Sequence, residues 1–95
     1  MRTIHKQKIE ITDFQTIELP EKSRILHIGK QGKNGVGRDN VCIWYECDTN
    51  MPKKKVNIHC FGTGNEMPDN DNLQYIDTVL FFDDSLVFHF YLEQV

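Results

Sequence analysis

FGTGNEMPDNDNLQYIDTVLFFDDSLVFHFYL, residues 61–92, decides the fold of this chain. It opens on a small-residue turn and a Pro/Asp/Asn loop, then runs into two apolar segments joined by a short acidic turn. With that turn at Asp83 and Asp84, Phe81 faces Leu86, Val79 faces Phe88, Asp77 faces Phe90 and Tyr75 faces Leu92. The opposite side then pairs Leu80 with Val87, Thr78 with His89 and Ile76 with Tyr91. Both sides are largely apolar, which fits a hairpin central to a layered structure or one that also meets a second copy of the chain. Ile76, Leu80, Val87 and Tyr91 are therefore the expected self-association face. Asp77 is the misfit on the better core side. It calls for a one-residue bulge in the pairing, or for backbone donors at its carboxylate.

Upstream of this stretch the chain reads as short strands. Residues 56–62 (VNIHCFG) and 23–29 (SRILHIG) are strands, and 41–48 (VCIWYECD) is a strand apolar on both sides. Residues 15–19 form another, stopped by Pro20. Residues 3–11 alternate weakly, with the apolar end at Ile9 and Ile11. A three-residue turn at Thr12, Asp13 and Phe14 would set Ile11 against Gln15, Ile9 against Ile17 and Gln7 against Leu19. That register keeps the apolar faces together, so residues 3–19 are expected to form a hairpin with Phe14 at its tip. No segment carries a helical period, and Pro20, Pro52 and Pro68 punctuate the strands with the glycines. The expectation is a small single-domain all-β antiparallel sandwich or barrel of about seven strands. A chain of 95 residues is one domain, able to bury a single core without staples.

Charge and cysteine usage narrow the function classes. The net charge of −3 argues against general nucleic-acid binding, which needs a basic surface. The start, MRTIHKQKIEI, has no apolar leader core, and no run approaches the length of a membrane span. Three cysteines, with Cys42 and Cys47 five positions apart, fit buried free thiols in a reducing cytoplasm.

The loops hold the remaining candidates. GKQGKNGVGR, residues 29–38, lacks the Ser or Thr and the following helix of a phosphate loop. Its Lys30, Lys33 and Arg38 with free backbone amides can still hold an anion such as a nucleotide phosphate, at a dimer groove that the backbone amides of the FGTG turn, with Thr63, Gly64 and Asn65, would complete. Otherwise the segment is a solvated hairpin loop. Residues 69–72 (DNDN) fail the calcium-loop pattern at Leu73 and Gln74 and read better as turns that start the next strand. His59 and Cys60 point to opposite sides of a strand, and no CxxC or HxxxH spacing occurs, so neither a metal site nor a cofactor is expected. A Cys–His nucleophile pair would lack any orienting motif, and no enzymatic activity is expected. Lys53, Lys54 and Lys55 read as a solvated basic turn or edge.

IEITDFQTIELPEKSRILHI near the start, CIWYECD, then FGTG, MPD, NLQYIDTV and LVFHFYLE together resemble a family of short proteins of tailed phages and prophages with no assigned activity. The resemblance covers most of the chain in order. It implies a small β-rich phage accessory protein in the host cytoplasm and carries over no catalytic residues. The loop at 30–40 departs from it, being longer than the short NG-type turn of that family. The expected function is accordingly a viral accessory protein that acts by stoichiometric binding, with counter-defence as the setting. It would meet a host protein through Phe14, Asp69 and Asp71, or sequester a small nucleotide at the 30–38 loop. The alternative is a structural or assembly protein of the virion.

Overall fold

The structure is a computed structural model that describes residues 1–31, 41–69, 72–81 and 85–94. Seven strands are present: β1 (Arg2–Ile9), β2 (Phe14–Pro20), β3 (Arg24–Lys30), β4 (Val41–Asp48), β5 (Lys53–Gly62), β6 (Leu73–Phe81) and β7 (Leu86–Glu93). They form two antiparallel sheets, β1-β4-β3 and β2-β5-β7-β6, packed as a sandwich. The central strand of the smaller sheet is β4, and its sequence explains why. Val41, Ile43, Tyr45 and Cys47 are buried on one side, while Cys42 on the other is also buried. A strand apolar on both sides belongs between two neighbours rather than at an edge. Ile9, Ile17, Leu19, Ile28, Ile58, Cys60, Val79, Phe81 and Phe90 complete one core between the sheets.

The expected β1–β2 hairpin does not form. β1 pairs with β4, Ile9 opposite Val41, and β2 pairs with β5, Ile17 opposite Val56. The connection at 10–13 instead carries the chain from one sheet to the other. The alternation had correctly placed Ile9 and Ile17 on the core side, and both are buried. Side-chain parity is the same whether two strands are neighbours in one sheet or face each other across a sandwich, so it could not choose between them. The corner is held by the Gln15 side chain, which donates to the Glu10 carbonyl (2.7 Å) and accepts from its N–H (3.0 Å). Ile11, expected at the strand's apolar end, lies in this corner and is exposed.

β5 begins three residues before the expected start, at Lys53, because Lys53, Lys54 and Lys55 pair with Pro20, Leu19 and Glu18 of β2. The expected turn after β4 is therefore shorter and its lysines are strand residues. β3 and β4 form the expected hairpin, Lys30 opposite Val41, with a bulge between Ile25 and His27.

The β6–β7 hairpin has the expected register from Phe81–Leu86 to Asp77–Phe90. Beyond Asp77 it slips by one, so Tyr75, not Ile76, stands opposite Tyr91, and Gln74, not Tyr75, opposite Leu92. Of the two remedies foreseen for Asp77, backbone donors meet its carboxylate, while Asp77 keeps its expected partner Phe90 and the one-residue slip falls beyond it. Its Oδ2 accepts from the Ile28 N–H at 3.1 Å and lies 2.6 Å from His27 Nδ1, and its Oδ1 accepts from the Thr78 N–H at 2.9 Å. β3 and β6 are edge strands of different sheets. The carboxylate thus takes the place of a missing ladder partner and ties the two sheets along one side, while the bulge turns Ile76 against the core.

Candidate functional site

The outer side of the four-stranded sheet concentrates the chemistry of this molecule. Along β5 and β7, outward residues alternate with buried ones: His59 and Phe61 flank Cys60, and His89 and Tyr91 flank Phe90. The sheet order β2-β5-β7-β6 then aligns one ring from every strand. Phe14 is opposite His59, His59 opposite Tyr91, and Tyr91 opposite Tyr75. Phe61 and His89 form the start of a second row, with Thr78 opposite His89. The Cα envelope is 16 Å through its thinnest dimension. Two sheets about 10 Å apart fill that thickness, so among the described residues no third layer covers the row.

The rings touch in an unbroken path. Phe14 meets His59 edge-on at 5.0 Å, His59 stacks on Phe61 at 6.2 Å, Phe61 meets Tyr91 at 5.7 Å, and Tyr91 meets Tyr75 at 5.6 Å. Phe14 is 49% and Tyr75 54% exposed, so both ends of the path are open to solvent. Such edge-to-face contacts hold each ring at a defined tilt.

Polar groups pin the rings from both flanks. His59 Nε2 donates to Glu93 Oε1 at 2.9 Å, and Asn57 Nδ2 donates to Glu93 Oε2 at 2.9 Å. The Asn57 side-chain oxygen in turn accepts from the Thr16 hydroxyl at 2.8 Å. Hydrogen bonds from Asn57 and then from His59 hold the Glu93 carboxyl below its ordinary range. On the other flank, His89 contacts the Thr63 hydroxyl through Nε2 (2.8 Å) and the Thr78 hydroxyl through Nδ1 (3.0 Å). The Tyr75 hydroxyl closes this chain on Thr78 at 2.6 Å. A neutral His89 therefore donates to one threonine and accepts from the other. Glu93 is hydrogen-bonded to His59, Glu18 stands opposite Lys55, and Lys53 stands opposite Pro20. The arrangement is a rigid aromatic centre with a polar rim.

Several sequence-derived candidates meet here. Phe14, read as a partner contact, and Tyr91, Leu80 and Val87, read as a self-association face, belong to one outer surface. Leu80 is 40% exposed and stands opposite Val87. Ile76 leaves this set, because the bulge packs it against the core and Tyr75 takes its place. Thr63 joins the rim through His89, and its N–H donates to the Val87 carbonyl at 3.2 Å. Gly64 follows with φ of 88°, a backbone angle suited to glycine, and the Asn65 N–H closes the turn on the Gly62 carbonyl. Lys30 ends β3 in the other sheet, with its ammonium 6.0 Å from the Phe81 ring centre. Asp69 is exposed in the connection between β5 and β6. Lys33, Arg38 and Asp71 lie outside the described residues.

Sequence reasoning missed His59, Phe61, Tyr75, His89 and Glu93. The alternation on β5 and β7 was a sufficient signal to put these residues on the noncore side of their own strands, except Tyr75, which only the bulge turns outward. Their assembly into one surface required the strand order. Among the described residues, no group of three or more His, Cys, Asp and Glu side chains gathers to hold a metal ion, and no helix is long and apolar enough to cross a membrane. No curated protein and no solved structure matches the chain. Residues 1–95 match in full the family model described as Domain of unknown function (DUF7352), and the chain belongs to that family.

Proposed function

We propose that this protein acts by stoichiometric binding rather than by catalysis, and that it docks another protein on the outer side of the β2-β5-β7-β6 sheet. The observation that carries this reading is the continuous, hydrogen-bond-pinned path of rings from Phe14 to Tyr75 on an uncovered sheet. Protein interfaces have this anatomy: aromatic side chains at a centre depleted of unmatched charge, surrounded by a polar rim. Rings already fixed in place lose little freedom on binding, so more of the contact energy appears as affinity. The net charge of −3 disfavours a polyanion as the partner. The resemblance of the sequence to phage and prophage proteins supplies the setting, a counter-defence accessory whose partner is a host protein.

The test is co-purification of the tagged protein from infected cells, beside Tyr91→Ala and Tyr75→Ala variants checked for unchanged melting. One partner retained by the wild type and lost by both variants supports the reading. A partner retained by both variants overturns it. A homodimer that dissociates on Tyr91→Ala, with no other protein bound, would give the surface to a second copy of the chain and replace the reading. Stable incorporation into purified virions would replace it with an assembly role.

A further inference from the structure

A second surface lies on the opposite side of the sandwich, the outer side of β1-β4-β3. Val41, Ile43, Tyr45 and Cys47 of β4 enter the core, so Cys42, Trp44, Glu46 and Asp48 face away from it. The pairing sets β1 side chains beside them: Lys8 opposite Cys42, Lys6 opposite Trp44, Ile4 opposite Glu46 and Arg2 opposite Asp48. On β3, Arg24 stands opposite Glu46 and His27 opposite Trp44. The Cα envelope is 40 × 37 Å across and 16 Å through, so this side is broad and, among the described residues, uncovered.

Its charge is positive once its ion pairs are taken into account. Glu46 accepts from Arg2 at 3.0 Å through one oxygen and from Arg24 at 2.8 Å through the other. Asp48 accepts from the N-terminal amine at 3.1 Å. His27 is matched by Asp77 at 2.6 Å. One carboxylate between two guanidinium groups leaves a positive balance, to which Lys6 and Lys8 add. Lys6 donates to the uncharged side chain of Gln31, which does not neutralise it. The whole chain carries −3, so this excess belongs to one side and not to the molecule.

Apolar groups sit among the cations. Ile4 is 58% exposed between Arg2 and Lys6. Trp44, the single tryptophan of the chain, is half-buried at the centre of the same side. Lysines on an edge strand are explained by the need to discourage strand addition. An open isoleucine and a tryptophan beside them are not.

We propose that this side docks on an anionic lipid bilayer, with Trp44 and Ile4 entering the headgroup region and Lys6, Lys8, Arg2 and Arg24 meeting lipid phosphates. Tryptophan settles at the headgroup level of membranes, and clustered Lys and Arg are drawn to anionic lipid. Their aliphatic stems lie along the apolar boundary while the charged ends stay with the phosphates. A nucleic acid would use the cations and the indole but would leave Ile4 against a charged backbone. The protein lies on the membrane and does not cross it. This side is back to back with the ring surface, and the proposal is independent of that reading.

The test is sedimentation with vesicles of phosphatidylcholine alone or mixed equally with phosphatidylglycerol, read together with Trp44 fluorescence. Binding to the mixed vesicles is expected, with Trp44 emission shifted to the blue and quenched by lipids brominated in their acyl chains. Phosphatidylcholine alone should bind at least about tenfold more weakly, and high salt should release the protein. Lys6→Gln and Lys8→Gln should each weaken binding about fivefold. Ile4→Ser, at an exposed position, should weaken it by about tenfold with unchanged melting. No binding to the mixed vesicles, equal binding to both kinds, or unchanged binding in Ile4→Ser would each overturn the proposal. Sedimentation with Trp44 emission unshifted would place the lipid contact elsewhere and overturn it. So would Trp44 quenching by a single-stranded oligonucleotide without binding to vesicles, which would give this side to nucleic acid.

Discussion

Replacing Asp77 by Ala tests the link between the two sheets. The substitution removes the acceptor of two backbone donors, the N–H groups of Ile28 and Thr78, and the partner of His27. Ile28 is fully buried, so water cannot replace the carboxylate without opening the edge. An unpaired buried donor costs about 1–3 kcal/mol. The half-buried Thr78 adds less, because solvent can reach it. The expected loss is about 2–4 kcal/mol in all, a large share of the ~5–15 kcal/mol that holds a small domain together. Asp77→Asn keeps one carbonyl acceptor and should lose about half as much. Urea melts should show a lower midpoint at unchanged slope. Hydrogen exchange should show the Ile28 amide losing protection in Asp77→Ala, beyond the change expected from global stability. Asp69→Ala, an exposed carboxylate, is the control, with an effect within about 0.5 kcal/mol. An Asp77→Ala variant within that same margin, or one whose Ile28 amide stays protected like the core, would refute the sheet-linking role.

Other perturbations probe the same frame from different sides. A Cβ at Gly29 would collide with the His27 ring, so Gly29→Ala should displace His27 from Asp77, visible as a change in the His27 ring shifts and in Trp44 fluorescence, whose ring lies 5.4 Å away. Glu93 has its carboxyl held below the ordinary value of 4.5 by Asn57 and His59. The unfolded chain therefore binds its proton first, and the stability it contributes is present above pH 4.5 and lost as pH falls through the lower folded value. Urea midpoints measured between neutral and acid pH should fall less steeply in Glu93→Gln, and an identical slope would count against the contribution. Burial, reinforced by Asp13, pushes the Cys60 thiol from 9.0 up to about 11. Its contribution is present below pH 9.0 and lost as pH rises through about 11. All three cysteines are buried, so thiol-specific alkylation of the native protein near pH 8 should be slow for each and become fast only in denaturant.

The ring surface brings together side chains assigned separate roles from sequence. Phe14 had been assigned a partner contact and Tyr91 self-association, yet they belong to one row. A partner and a second copy of the chain would compete for it. The protein in the proposed complex is then expected to bind its partner one-to-one, with any self-association suppressed when the surface is occupied. The FGTG turn contributes through the Thr63 contact to His89, on the flank of that same surface.

Much of the architecture followed from local pattern alone. Alternation or short apolar runs bounded by turns located all seven strands, the punctuation by proline and glycine ruled for strands over helices, and the paired apolar runs of residues 73–92 defined the last hairpin down to most of its register. These features are local, because a strand's two sides and a tight turn are set within a few residues of chain. Tertiary structure decided the rest. It moved β1 and β2 into different sheets, since parity is blind to whether two core-side residues are neighbours or face each other across the core. It placed the slip beside Asp77, where a carboxylate could meet the buried Ile28 N–H of a strand remote in sequence. It also made a continuous surface of Phe14, His59, Phe61, Tyr91 and Tyr75, because adjacency across a sheet depends on strand order, and strand order is fixed by packing over the whole chain.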